Sequence, residues 1–418
     1  MASPPASRCD GAPAEQTLLS DEILEDIFLL LESGYDLARA SATCRAFRRV
    51  ATGRRFLRRF LSLHPPPIVG FIDFQFGGRL LTLTPAEPPH RSAPAARAVA
   101  QAGDFTFSFL PGASEHHPNK RWLPCDARDG RFLLSRGGND ATTFLELVVC
   151  DPLYRRYVQI PPIPRDLVPR MPSCGELKSE PFLAPAEEVE SDEDSQHFRV
   201  IYNWLSDYKL VSFVFSAATG KWRCATIFSF LPARLIRQPK KFKRYYACNC
   251  FIWVRMGEGY MLMLNPREMK FSLVELRHRT DLPRDQVVAI IDHAAEDRLG
   301  FATIVYPGQA LYSRCRLDLY SRTCQNNGVT EVEWQRDNSI PLPEPDYCYG
   351  IIGAAEGYLL LKGYLSALTQ KQCEVQVQHL TVDLKTLLVE KLCTLNSYTS
   401  SDVHPYASFP PPLSLPRL

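Results

Sequence analysis

The run His64-Pro65-Pro66-Pro67 divides the chain into two parts with different hydrophobic periods, and no single fold accommodates both. Ahead of it apolar residues recur at helical spacing; behind it they alternate with a period of two almost to the end. Proline withholds a backbone donor and biases its predecessor to extended geometry, so a helix stops here. Prolines in succession make a stiff joint and not a flexible tether. The expected organisation is an α+β multidomain chain: an Ala/Pro/Ser-rich disordered N-terminus at residues 1–16, a helical module at 17–63, the joint at 64–67, and a β domain at 68–413.

In the helical part, Leu19, Leu30, Ile23, Ile27, Leu31, Leu24 and Phe28 fall on one apolar arc of about 180° at about 100° per residue. Asp21, Glu22, Glu25, Asp26 and Glu32 hold the other side, with Leu29 among them. A surface helix needs a stripe of only about 100°. The surplus implies a helix that packs in two directions. A second segment is expected to start at Asp36 as N-cap and repeats Leu37, Ala40, Cys44 and Phe47 at helical spacing. A third carries Val50, Ala51, Phe56, Leu57, Phe60 and Leu61 on one side and Arg54, Arg55, Arg58 and Arg59 on the other. Three short helices make a poor independent core, which suits either a docking module or a helical cap on the β domain.

The order Leu19-Ser20-Asp21-Glu22-Ile23, Leu24, Ile27-Phe28, Leu31, Asp36-Leu37, Ala40, Thr43-Cys44-Arg45 and Phe47-Arg48-Arg49-Val50-Ala51 resembles the F-box. The family usually has proline where this chain has Ser20, and serine can cap the same turn. The resemblance implies binding to a Skp-type adaptor within a cullin–RING ubiquitin ligase. Leu19, Ile23, Leu24, Ile27, Phe28, Leu31, Leu37 and Cys44 are the expected adaptor-binding residues. Periodicity leaves open which of them face the adaptor and which face the module's own core.

The β part carries a loose repeat, a strand running into a small polar turn and then a basic or aromatic residue. Copies centre on Asp151, Ser216, Asn265, Asp318 and Asp383, at intervals of 65, 49, 53 and 65 residues. Intervals near 50 suit one kelch-like blade. Gly turns precede several copies, in Arg128-Asp129-Gly130, Gly257-Glu258-Gly259 and Glu356-Gly357. The expected fold is an all-β propeller of about six blades, with seven blades or a pair of β-sandwiches as alternatives. The segment Thr84–Ala102, rich in Ala and Pro, reads as an exposed loop. With the His-Pro-Pro-Pro joint, the Asp151-Pro152 turn and the Gly220-Lys221-Trp222 turn, this half resembles the F-box-associated domains of plant F-box proteins.

No nucleophile elbow, HExxH or phosphate loop occurs, and the Cys set, 13 in number, contains no CxxC pair, so neither catalysis nor a metal or cofactor is expected. A formal charge of +2 argues against a general nucleic-acid or membrane-surface protein. No signal peptide or membrane-length apolar run is present, which places the chain in cytoplasm or nucleus. His116-His117 and the acidic run Glu187–Asp194, beside Ser191 and Ser195 as possible phosphorylation sites, read as surface loops. Lys240, Lys241, Lys243 and Arg244 are expected on an exposed loop, with weak RNA binding. These readings combine into a substrate adaptor, with an unknown substrate protein on the propeller. A propeller scaffold for protein or RNA outside a ligase is the alternative, and an enzyme with a site in the central channel is a third.

Overall fold

The computed structural model describes residues 19–31, 33–64, 66–73, 82–112, 121–136, 144–168, 178–185, 198–205, 209–228, 243–254, 260–275, 288–293, 298–306, 315–323, 334–355, 357–365, 376–396, 403–411 and 413. The expectations for residues 1–16, His116-His117, the Glu187–Asp194 run, Ser191, Ser195 and Lys240-Lys241 lie outside them. The chain divides between Pro65 and Pro66 into two compact units.

The first unit holds four helices: α1 (Asp21–Leu29), α2 (Gly34–Ser41), α3 (Arg45–Ala51) and α4 (Arg54–Leu63). The segment expected as a third helix is two, because it breaks at Thr52-Gly53, where the Thr52 hydroxyl bonds back to the Arg48 carbonyl at 2.7 Å and glycine disfavours continuation. Ser20 caps α1, its Oγ accepting from the Ile23 N–H at 3.4 Å, and Asp21 and Glu22 complement the helix dipole. The cap of α2 is Ser33 and not Asp36. Ser33 Oγ accepts from the Asp36 N–H at 3.2 Å, and its hydroxyl donates to the Asp36 carboxylate at 2.7 Å. Asp36 thus sits three residues inside the cap and completes it. Phe28 joins the helices: its ring meets Phe47 at 5.2 Å and Phe56 at 6.1 Å, both edge-on.

The second unit is built from antiparallel meanders. In chain order the strands are β1 (Ile68–Asp73), β2 (Leu83–Pro85), β3 (Leu123–Arg128), β4 (Arg131–Arg136), β5 (Glu146–Asp151), β6 (Arg156–Ile160), β7 (Lys178–Ala184), β8 (Arg199–Leu205), β9 (Leu210–Ser216) and β10 (Lys221–Phe228). They continue with β11 (Lys243–Ala247), β12 (Cys250–Val254), β13 (Tyr260–Asn265), β14 (Lys270–Glu275), β15 (Val288–His293), β16 (Arg298–Val305), β17 (Arg316–Thr323) and β18 (Gln335–Pro341). The last are β19 (Tyr347–Ala355), β20 (Tyr358–Leu365), β21 (Val377–Asp383), β22 (Val389–Leu395) and β23 (Val403–Ala407). From β3 to β22 each set of four consecutive strands forms one sheet. The remaining sheet has the order β2-β1-β23, so the C-terminal strand completes the blade that the first strand begins. First strands of neighbouring sheets pack side by side, β3 on β7, β11 on β15, β15 on β19, β19 on β23 and β23 on β3. The result is a six-bladed β-propeller whose ring closes through β23. Its apolar clusters lie between adjacent sheets, as in Leu133, Val149, Val200 and Phe213, and in Phe182, Phe251, Leu262 and Phe271.

The repeat has a common local cause. Asp151, Ser216, Asn265 and Asp383 each end the third strand of a blade. Asp151 Oδ1 accepts from the Leu153 and Tyr154 N–H groups at 3.0 and 3.3 Å. Asn265 does the same for Arg267 and Glu268 at 2.9 and 3.2 Å, and Asp383 for Lys385 and Thr386 at 2.9 and 3.0 Å. Four residues on, Arg155 (φ 54), Gly220 (φ 64), Met269 (φ 53) and Leu387 (φ 60) all adopt the left-handed conformation that reverses the chain. Asp318 is the exception. It lies inside β17, paired across to Ser339, and is buried against Arg316 at 3.1 Å and Arg336 at 3.5 Å. It is a charge-paired strand residue, not a turn.

Residues 84–102 are not an exposed loop. Thr84 pairs with Phe71 in the β2–β1 ladder, and α5 (Ala93–Ala102) buries Ala93, Ala95, Ala96 and Val99 against β1 and β2. Small side chains that look like low complexity allow close helix–sheet packing, and Pro94 suits a first helical turn. The segment also binds the last blade: the Glu87 N–H donates to the Leu392 carbonyl at 2.7 Å, His90 Nε2 meets Thr381 Oγ1 at 2.8 Å, and Arg91 pairs with Glu390 and Asp383.

Candidate functional site

The module sorts the expected adaptor residues into two groups. Leu24, Phe28 and Leu37 are buried and form its core, while Leu31 is half-buried. Leu19, Ile23 and Ile27 are 50%, 48% and 43% exposed, and Leu30, on the same arc, reaches 82%. Ile23, Ile27 and the C-cap Leu30, spaced four and three residues apart, share one side of α1, and Leu19 lies just ahead of its N-cap. Four large aliphatic side chains thus stand uncovered beside a filled core. Cys44 is exposed too, but its Sγ accepts from the Phe47 N–H at 3.4 Å and caps α3. Leu30 is the residue absent from the expected set; its place on the arc pointed to it.

On the propeller, Lys243 and Arg244 are not on a loop. They open β11, the first strand of its blade. Arg244 is nearly buried, bonded to Asp126 at 3.0 Å and Glu180 at 2.6 Å, with its guanidinium 4.3 Å from the centre of the Phe182 ring. Burial works against its charge, and the two carboxylates outweigh that and raise its pKa. Trp253 Nε1 donates to the other Glu180 oxygen at 2.8 Å. Asp126, Glu180 and Arg244 lie on the first strands of three successive blades, so the cluster pins those blades together. Arg128 of β3 likewise lies 4.1 Å from the centre of the Tyr246 ring of β11, and Lys243 Nζ donates to the Ile351 carbonyl of β19 at 3.5 Å. Side chains that join non-adjacent inner strands occupy the axis of the ring.

Topology separates the two rims. One carries the tight first-to-second hairpins, such as Asp129-Gly130 and Cys248-Asn249, all four residues with positive φ, and the third-to-fourth turns described above. At the opposite rim lie the ends of the second and fourth strands and the starts of the first and third. There Leu123, Tyr306 and Tyr364 are exposed. Among the described residues no His/Cys/Asp/Glu group is arranged to hold a metal, and no helix is long and apolar enough to cross a membrane.

The F-box-like family model matches residues 21–64. The chain thus joins an F-box-like domain to a six-bladed β-propeller. No curated protein matches it. Among solved structures, TolB from Acinetobacter baumannii is 10% identical over 86% of this chain and 71% of its own, with a TM-score of 0.35. The WD40 domain of SCAP from fission yeast is 8% identical over 66% and 74%, at 0.31. An α-L-arabinofuranosidase from Fusarium graminearum is 10% identical over 64% and 79%, at 0.30. Likenesses at this level carry no argument about function.

Proposed function

We propose that the chain is the substrate-recognition subunit of an SCF-type (cullin–RING) ubiquitin ligase, with α1 docking a Skp-type adaptor and the propeller holding the substrate protein. The observation that carries this is the exposed row Leu19, Ile23, Ile27 and Leu30 on the first helix of an F-box-like domain. On this reading the protein makes no bonds itself and needs no cofactor. It raises the effective concentration of a substrate lysine near the ligase. The rim opposite the tight hairpins is the natural substrate surface, since recognition resides in loops on a rigid scaffold. Side chains across the axis favour surface binding over a site in the channel. Use of Arg244 inside an ion-pair cluster supports weak RNA binding, and with the near-neutral charge leaves no long basic track. Kinship with the kelch-like F-box-associated domains of plants, and a cytoplasmic or nuclear location, belong to the same proposal.

Affinity purification of the full chain from eukaryotic cells tests it. A Skp-type adaptor and a cullin should be retained in stoichiometric amount. A chain that brings down neither, while its module is folded, is a propeller scaffold acting outside a ligase.

A further inference from the structure

We propose that β6 is a docking edge, to which an extended segment of a partner protein, acidic at one end, adds as a fifth strand of that blade. Such an edge serves a ligase subunit or a scaffold alike.

The outer strand of a blade shows a row of backbone N–H and C=O groups to solvent, and proteins blunt such edges with bulges, charges or a covering element. Most blades of this propeller do so. The fourth strands β10, β18 and β22 each slip register against the third strand of their blade, at Cys224/Thr226, opposite Leu319/Tyr320 and opposite His379/Leu380. The short β2, at the edge of the closing sheet, is packed by α5. Of the fourth strands, β6 and β14 pair without a slip. β14 is anchored by the buried Phe271, whose ring centre is 5.7 Å from that of Phe228 on β10 and 6.2 Å from that of Trp253.

β6 has no such anchor before its last residue. Arg156, Tyr157, Val158 and Gln159 are all exposed, and Ile160 alone is buried. Tyr157 is 43% and Val158 36% exposed. The ladder sets Tyr157 opposite Cys150 and Val158 opposite Val149, so the two side chains lie on opposite faces of the sheet. A straight strand open on both faces offers its backbone to an incoming strand, and Tyr157 and Val158 give that strand a side-chain contact on either face.

Charge selects the partner. Arg155, at φ 54 in the turn, and Arg156 are both exposed where β6 begins. The acids around them are committed. Asp151, opposite Arg156, is buried with its Oδ1 on the Leu153 and Tyr154 N–H groups. Glu146, on the same face as Cys150 and Tyr157, pairs with Arg136, and Asp104 accepts from the Thr106 hydroxyl at 2.6 Å. Asp129, in the β3–β4 hairpin, acts on Tyr246 at the axis. Beyond the far end of β6, Arg165 and Asp166 are exposed, one of each sign. Two arginines against one buried aspartate leave the start of the strand positive, which an acidic segment complements and a basic one does not.

Fluorescence anisotropy on the full chain tests this with labelled ten-residue peptides, an alternating Thr/Val run ending in three glutamates or three lysines. The glutamate peptide should bind about tenfold more tightly than the lysine peptide. N-methylation through the Thr/Val run removes the backbone donors and should weaken binding at least about tenfold. Hydrogen exchange with the glutamate peptide bound should slow the amides of residues 156–160 and leave those of β14 unchanged. Arg155→Glu, and Arg155→Gly, which suits φ 54 and removes the charge without strain, should each erase most of the preference for glutamate. Lys385→Glu, in the β21–β22 turn of another blade, should keep it. No binding of the glutamate peptide, equal affinity for the two peptides, full binding after N-methylation, or protection that misses β6 overturns the proposal. Adaptor retention, measured on the same protein, is a separate readout: its loss sinks the ligase reading and leaves the peptide result intact.

Discussion

Ile27 and Phe28 are neighbours on α1, and their substitutions should fail in different ways. Phe28 is 3% exposed, and its ring contacts reach α3 and α4. Truncating a buried phenylalanine costs about 3–5 kcal/mol. A helical module confined to residues 21–64 has a core worth no more than roughly that amount. Phe28→Ala should therefore unfold the module and lose the adaptor with it. Ile27 already faces solvent, so Ile27→Asp buries no charge and should cost folding under about 1 kcal/mol. If the exposed row is the docking face, the same substitution places a carboxylate in a desolvated interface, where even truncating an anchor costs ~2 kcal/mol, or about 30-fold in affinity. Isothermal titration of the full chain with a Skp-type adaptor gives the affinity. Hydrogen exchange of the α1–α4 amides reports whether the module stands. Ile27→Asp should keep wild-type protection and lose affinity; Phe28→Ala should lose both. An Ile27→Asp protein that binds as tightly as wild type would refute the assignment of this face, and a protected Phe28→Ala would refute the assignment of the core. A charge at Leu24 or Phe28 is consequently no clean test of docking, because both side chains belong to the core.

Other outcomes follow from the propeller. Arg244→Met leaves Asp126 and Glu180 without their shared cation and should destabilise the propeller by roughly 2–4 kcal/mol; adding Asp126→Asn and Glu180→Gln should recover part of it in thermal unfolding, and an unaltered Arg244→Met would deny the cluster its clamping role. His379 is buried against Phe71, and burial, assisted by Lys362, lowers its pKa from 6.5 to about 4. A depressed histidine pKa gives stability that is complete above pH 6.5 and lost as pH falls toward 4, about 3 kcal/mol for this group. The difference in unfolding free energy between wild type and His379→Gln should therefore slope with pH only in that window, and a flat difference would show that His379 is not buried as the neutral form.

Much of the propeller was legible because its turns are made by side chains. Asp or Asn at the end of the third strand bonds the next backbone donors through its side chain, and that chemistry is written in the residue type. It also misleads. Asp318 sits between apolar strand residues as a turn aspartate would, and only the folded chain brings Arg336 and Ser339 to it. The left-handed positions were less visible: Arg155, Met269 and Leu387 stand where glycine gives the usual signal, and in one blade the hairpin is Cys248-Asn249. Residues 84–102 failed for a related reason. Alanine and proline describe a flexible loop by composition, but they also describe a small-faced helix packed on a sheet.

The exposed face of α1 was half legible, and the missing half is geometric. A period of 3.6 gives each residue of α1 an angle, and an arc of about 180° says that two partners share the helix. It does not say where one partner ends. That boundary depends on where α3 and α4 lie, which is fixed by Phe28 meeting Phe47 and Phe56. Once those rings set the inner side, Leu24 and Phe28 go inward, and Leu19, Ile23, Ile27 and Leu30 are left outside. The Arg244 cluster shows the same limit from the opposite direction. Lysine, arginine and tyrosine interleaved along 240–246 look like an open basic surface, yet β11 turns Arg244 toward acids contributed from 64 and 118 residues upstream, at Glu180 and Asp126. A charge run states how much charge is present. Whether that charge remains available to a partner is decided by the strands that meet it.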